Sequence, residues 1–163
     1  MVPNRPTVFI SYAHEDLRFT ERLALALEMY TDPFWDHHLD AGRYPKQLRR
    51  QIDSREFFIF VMSPDSVVIK WCKRELRLAE KKGDHNKIVL ALRPLGESVA
   101  KLDFARYLKK TYTYGDFTDE DDFDRGFKSV TGQILNEPHP SWEALSSQDD
   151  YESLFHELKS GRW

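Results

Sequence analysis

The chain has very little cysteine and no long apolar stretch, and both absences limit what it can be. Cys72 is the single cysteine among 163 residues, so no internal disulfide can form. This fits a reducing compartment, and we expect a cytoplasmic protein. No N-terminal run is apolar for long enough to be a signal peptide or a membrane span, so we expect no membrane association.

Strong positive charge is also missing. The formal net charge is -3 and the isoelectric point is about 6.1. A nucleic-acid binder usually carries a basic stripe, whereas here Lys and Arg occur only in short pairs. We therefore expect no direct nucleic-acid binding.

Several catalytic and nucleotide-binding motifs are absent as well. No GxGxxG follows the first apolar run, and the chain has neither a GxxxxGK[ST] loop nor a GxSxG elbow. A phospho-receiver domain would place an aspartate at the end of its third strand, where this chain has Ser63. The HHxxD cluster, with Asp36, His37, His38 and Asp40, lacks a further ligand fixed by structure, so a solvated loop is the simpler reading than a metal site.

The pattern that is present alternates strands with helices. Hydrophobic residues make up 40% and charged residues 31% of the chain, which is typical of a soluble folded domain. Apolar runs predict strands at residues 7–12, 34–35, 57–62, 88–92 and 111–114. Helical spacing predicts helices at 15–30, after Pro45, at 70–82 and, capped by Thr118, in the last part of the domain. This order predicts an α/β fold with an open, mainly five-stranded parallel sheet and helices on both faces.

The composition changes near the end of the chain. We predict one domain over residues 1–136, followed by an acidic linker and a short helix over 137–163. Such an appendix could lead to a sensor domain.

Three segments that follow the first three predicted strands resemble the landmarks of a Toll/interleukin-1 receptor (TIR) domain. They are FISYAHED, FWDHHLDAGRYP and SPDSVVIKWCKREL. The resemblance covers about residues 6 to 136 and implies a flavodoxin-like fold. Two features depart from the family pattern. Ile69 stands where a serine is common, and the later aromatic pair has only Phe104 and Tyr107 as stand-ins.

The resemblance implies an enzyme that cleaves NAD+ at the nicotinamide–ribose bond, as many bacterial and plant TIR domains do. Glu75 matches the essential glutamate of the family's W-x-x-x-E motif. NAD+ would be the substrate and no cofactor is expected. The resemblance places these residues beside the substrate: Ser11, Tyr12, Ala13, His14, Asp36, Tyr44, Ser63 and Trp71.

The family also implies assembly. The loop at 36–45 would contact a neighbouring subunit, and a sensor domain or protein would trigger clustering, as in a bacterial antiphage effector. The product would be ADP-ribose or a cyclised form.

Physical reasoning about Glu75 supports this reading independently. On a helix its neighbours three and four residues away are all uncharged: Trp71, Cys72, Leu78 and Ala79. Apolar surroundings disfavour ionisation and raise the pKa of a carboxyl group. A carboxylate in such a site can stabilise an oxocarbenium-like transition state.

Simpler readings remain for each residue. Glu75 could be an ordinary helix glutamate, Trp71 a core aromatic, Tyr44 a loop anchor and Ser63 a helix cap, while Cys72 is interpreted as buried packing. At the level of function, the rival is a non-catalytic TIR scaffold or mimic, and a third hypothesis is a transferase acting on small nucleosides.

Overall fold

The structure, a computed structural model, describes residues 5–35 and 45–135. These residues contain one sheet of five parallel strands in the order β2-β1-β3-β4-β5. The strands are β1 (Thr7–Ser11), β2 (Asp32–Phe34), β3 (Phe57–Met62), β4 (Ile88–Leu92) and β5 (Thr113–Asp116). The predicted open parallel sheet is confirmed.

Helices cover both faces of the sheet. They are α1 (Leu17–Leu27), α2 (Pro45–Ser54), α3 (Lys70–Glu80), α4 (Glu97–Ala100), α5 (Asp103–Thr111) and α6 (Phe123–Ile134). Short 3-10 helices occur at His14–Asp16 and His85–Lys87. In the described part of the chain, no helix combines the length and the apolar character needed to cross a bilayer.

The central strand β3 explains how two cores form. All six of its residues are buried, as its unbroken apolar sequence predicts. Because successive side chains point to opposite faces, its odd-numbered residues pack in one core and its even-numbered residues in the other. The first core lies under α1 and α6, and the second lies under α2, α3 and α5.

The strand order fixes where a ligand should bind. From β1 the chain passes through α1 to β2 on one side, and it then returns to β3 on the other side of β1. The carboxyl ends of β1 and β3 therefore border the topological switch point, where open α/β sheets bind ligands.

Two strands differ in position from their prediction. Strand β2 was predicted at 34–35 but begins at Asp32, because β2 lies at the sheet edge, where the missing N–H of Pro33 is tolerated. Strand β5 was predicted at 111–114 but begins at Thr113, since α5 extends through Thr111.

The region after β4 contains the largest differences. Helices α4 and α5 were not predicted, because their short apolar pattern is weak. The predicted cap at Thr118 is wrong: the side chain of Asp122 caps α6 by accepting the backbone N–H of Arg125 at 3.3 Å. The backbone N–H of Thr118 instead donates to Asp116 at 2.9 Å.

Candidate functional site

Glu75 is buried at the carboxyl edge of the sheet. Helix α3 turns an apolar face toward the sheet, and the buried residues of that face are Cys72, Leu76 and Ala79. Glu75 lies on the same face and is only 8% exposed. The helix geometry, rather than a charged neighbour, thus places this carboxyl group in an apolar layer.

Ser11 gives Glu75 a hydrogen bond within the protein. The Ser11 hydroxyl, at the carboxyl end of β1, donates to Oε1 of Glu75 at 2.7 Å. Burial raises the pKa of Glu75 to about 7, while this hydrogen bond acts in the opposite direction. Glu75 is therefore poised to change its protonation state near neutral pH.

Trp71 lies one helical turn before Glu75 on the same side of α3. It is 39% exposed, so it borders the solvent rather than the core. An exposed indole one helical turn from a buried carboxyl group offers a flat surface on which an aromatic ring can stack.

Cys72 belongs to the packing and not to the reactive groups. Its side chain is fully buried, and burial followed by the nearby charge of Glu75 raises the pKa of the thiol. A thiol held in the protonated form is a poor nucleophile. The interpretation of Cys72 as buried packing is confirmed.

A second buried carboxyl group, Asp16, lies at the same edge of the sheet and was missed by the sequence reasoning. The hydroxyl of Ser63 donates to it, and Nη1 of Arg93 pairs with it at 2.7 Å. Desolvation raises the pKa of Asp16, and these two partners oppose the rise. Asp16, Ser63 and Arg93 follow β1, β3 and β4. These positions could have predicted the cluster from the sequence, because parallel strands bring their carboxyl ends to one edge of the sheet.

This network defines the role of Ser63. Its hydroxyl donates to Asp16 and also accepts the backbone N–H of Ser66 at 3.1 Å, so it holds the turn after β3. The interpretation of Ser63 as a helix cap is wrong, because Ile69 is the N-cap residue of α3 and Ser63 closes the turn before it, with its hydroxyl already engaged within the protein.

The other residues predicted near the substrate are spread around the end of β1. Tyr12 is half-buried and its ring lies 6.4 Å from that of Trp35. Ala13 is fully buried and its carbonyl accepts the backbone N–H of Asp16 at 2.8 Å. His14 is exposed. Asp36, Tyr44 and the histidine cluster lie outside the described residues, within which no three His, Cys, Asp or Glu side chains could hold a metal ion.

Comparison with known proteins identifies the family. The profile described as TIR domain matches residues 8–131, so the chain belongs to the TIR domain family. Among curated proteins no sequence matches. A solved prokaryotic SEFIR domain shares the fold, with a TM-score of 0.55 and 19% identity over 82% of this chain and 94% of that one.

Proposed function

We propose that this TIR domain is an NAD+ nucleosidase in which Glu75 is the catalytic residue. The single observation that carries the proposal is the buried Glu75 carboxyl group, beside the end of β1, with its pKa raised to about 7. Structural glutamates are rarely kept in an apolar layer without a cation, and perturbed carboxyl groups cluster at functional sites.

The reaction requires little from the protein beyond this group. The nicotinamide–ribose bond breaks, its electron pair goes to the pyridinium nitrogen, and nicotinamide leaves as a neutral molecule. Positive charge then develops on the ribose, and the Glu75 carboxylate stabilises it in a site of low polarity. Water adds to the ribose and releases a proton to give ADP-ribose, or an internal nucleophile gives a cyclic product.

Ser11 and Trp71 support this role in different ways. The Ser11 hydroxyl fixes the orientation of the carboxylate, and Trp71 offers its ring to the nicotinamide or the adenine. By the family pattern, further substrate contacts come from Tyr12, Ala13, His14, Asp36 and Tyr44. Ser63 contributes mainly by holding the turn and Asp16.

Assembly would regulate the enzyme. The loop at 36–45 is the proposed contact with a neighbouring copy, and an upstream sensor would bring copies together in a cell under phage attack. We propose no membrane partner and no nucleic-acid ligand for this domain.

The decisive experiment compares nicotinamide release from NAD+ by the wild type and by Glu75→Gln. Both proteins are assayed at high concentration with a crowding agent, in samples that light scattering shows to have assembled. We expect the variant to lose at least about 100-fold in rate, because the transition-state charge has no partner. Glu21→Gln, at an exposed position of α1, is the matched control and should retain full activity.

A scaffold function is the second candidate, and one observation favours it. Val68, in the turn before α3, and Trp71, in the first turn of α3, are 55% and 39% exposed and offer apolar surface for docking. Under this hypothesis an assembled wild type releases no nicotinamide, whereas equal release by wild type and Glu75→Gln would leave an enzyme without a role for Glu75.

A further inference from the structure

A cleft separate from Glu75 opens on the face of the sheet covered by α1 and α6. Its volume is about 280 Å³, and its walls come from α1, the residue after β4 and the segment between β5 and α6. Three arginines and three phenylalanines dominate its lining: Arg18, Arg22, Arg93, Phe19, Phe117 and Phe123. Glu75 belongs to α3, which packs on the opposite face.

The phenylalanines form one cluster that holds two of the guanidinium groups. The rings of Phe19 and Phe117 lie 5.0 Å apart, and those of Phe117 and Phe123 lie 5.2 Å apart. The Arg22 guanidinium carbon is 4.2 Å from the centre of the Phe123 ring, and that of Arg93 is 4.8 Å from the centre of the Phe19 ring. Stacking of this kind fixes the planar donors and lowers the entropy lost on binding.

The three guanidinium groups in the cleft are not all paired. Arg93 is committed to Asp16, but neither Arg18 nor Arg22 has a carboxylate within 4.0 Å among residues 5–35 and 45–135. Burial lowers the pKa of Arg22, which the charge of Asp124 only partly opposes. A half-buried guanidinium without a close counter-ion costs free energy that an anionic ligand would recover.

Two acids also line the cleft, and neither closes it. Glu120 is 73% exposed and 3.8 Å from Nη2 of Arg93, so its side chain can move into solvent. The Asp119 carboxylate accepts the backbone N–H of Asp121 at 3.0 Å. Asp16 neutralises Arg93, so the cleft carries no net positive charge, but it presents the guanidinium groups of Arg18 and Arg22 without a close carboxylate.

We propose that this cleft binds a phosphate-bearing ligand of mononucleotide size. The phosphate would accept hydrogen bonds from Arg18 and Arg22, whose fork geometry matches its oxygens, and the apolar part would contact the phenylalanine cluster. The volume is just below the usual range for ligand pockets, about 300–1,000 Å³, which fits one nucleotide better than a dinucleotide. This site is independent of the proposed NAD+ cleavage.

The test titrates the full chain with ADP and with inorganic phosphate by isothermal calorimetry at low salt. We expect ADP to bind with a Kd below about 1 mM and more tightly than phosphate, because the apolar cluster adds to the charge interaction. Arg18→Ala should weaken ADP binding severalfold without unfolding, since Arg18 is exposed and no contact within the described residues depends on it. Arg22→Lys, which keeps the charge but loses the fork, should be weakened about tenfold.

Two controls assign the binding to this cleft. Arg106→Ala removes an exposed arginine on α5, and Trp71→Ala alters the surface one helical turn from Glu75, so neither should change the Kd for ADP. The proposal would be overturned if neither ADP nor phosphate binds, or if Arg18→Ala and Arg22→Lys bind ADP as tightly as the wild type. Loss of ADP binding in Trp71→Ala would instead place the nucleotide at Glu75. Nicotinamide release is measured separately, so failure here leaves the nucleosidase proposal standing.

Discussion

Two buried carboxyl groups lie at the same edge of the sheet, yet their surroundings differ. Asp16 is paired with the Arg93 guanidinium and hydrogen-bonded by Ser63, so its charge is already compensated. Glu75 has the neutral hydroxyl of Ser11 and apolar neighbours. A carboxylate without a cation retains its attraction for positive charge that develops in a bound molecule. The comparison therefore separates a structural acid from one that is available for chemistry.

Removing the partner of Asp16 should have the largest effect on stability. In Arg93→Ala the buried carboxyl group loses its counter-charge, and we expect the free energy of unfolding at pH 8 to fall by about 3 kcal/mol. Urea denaturation measures this loss. Arg125→Ala is the control, because its pairs with Asp116 and Asp122 are 4.0 Å apart and largely exposed, so it should change stability by less than about 0.5 kcal/mol. Equal losses in both variants would show that Asp16 is not held by Arg93.

Replacing Glu75, the carboxyl group without a cation, should raise the free energy of unfolding rather than lower it. Since the pKa of Glu75 is raised from 4.5 to about 7, the folded state is favoured below pH 4.5 and loses this advantage as the pH rises to 7. Above pH 7 the buried, ionised Glu75 lowers the free energy of unfolding by about 3 kcal/mol. Glu75→Gln should raise that free energy by up to about the same amount.

Urea titrations of wild type and Glu75→Gln at pH 4 to 8, in dilute samples, would show the gain growing with pH. The matched variant Glu21→Gln should follow the wild type throughout. Identical pH dependence in wild type and Glu75→Gln would contradict the raised pKa.

The smallest expected effect concerns Ser11. Because the catalytic form of Glu75 is ionised, kcat/KM for NAD+ should rise about tenfold between pH 6 and pH 8. Ser11→Ala removes the bond that favours the carboxylate, so the profile should move to higher pH by about 0.5–1 unit. Ser98→Ala, at an exposed position of α4, should leave the profile in place. If the pH profile of Ser11→Ala coincides with that of the wild type, Ser11 does not influence the pKa of Glu75.

The sequence was most informative where one strong local pattern decides the structure. Strands β3 and β4 were predicted at the residues the structure gives, since continuous apolar runs between turns have few alternatives. The uncharged helical neighbours of Glu75 indicated its burial, although the spacing alone also allowed an ordinary helix glutamate. By contrast, Asp16 and Arg93 are 77 positions apart, and their pairing depends on the strand order. Helix α5 was missed because its buried residues, Ala105 and Leu108, are too few to stand out among its charged and polar neighbours.

The short edge strand β2 has a consequence for how copies of this chain can associate. Pro33 removes one backbone donor from the outer edge, since the N–H of Asp32 points inward and donates to the carbonyl of Pro6. A three-residue edge with a missing donor is a poor template for another strand. A protein proposed to work at high local concentration is thus protected from uncontrolled β-aggregation on that side, and ordered growth is left to helices and loops.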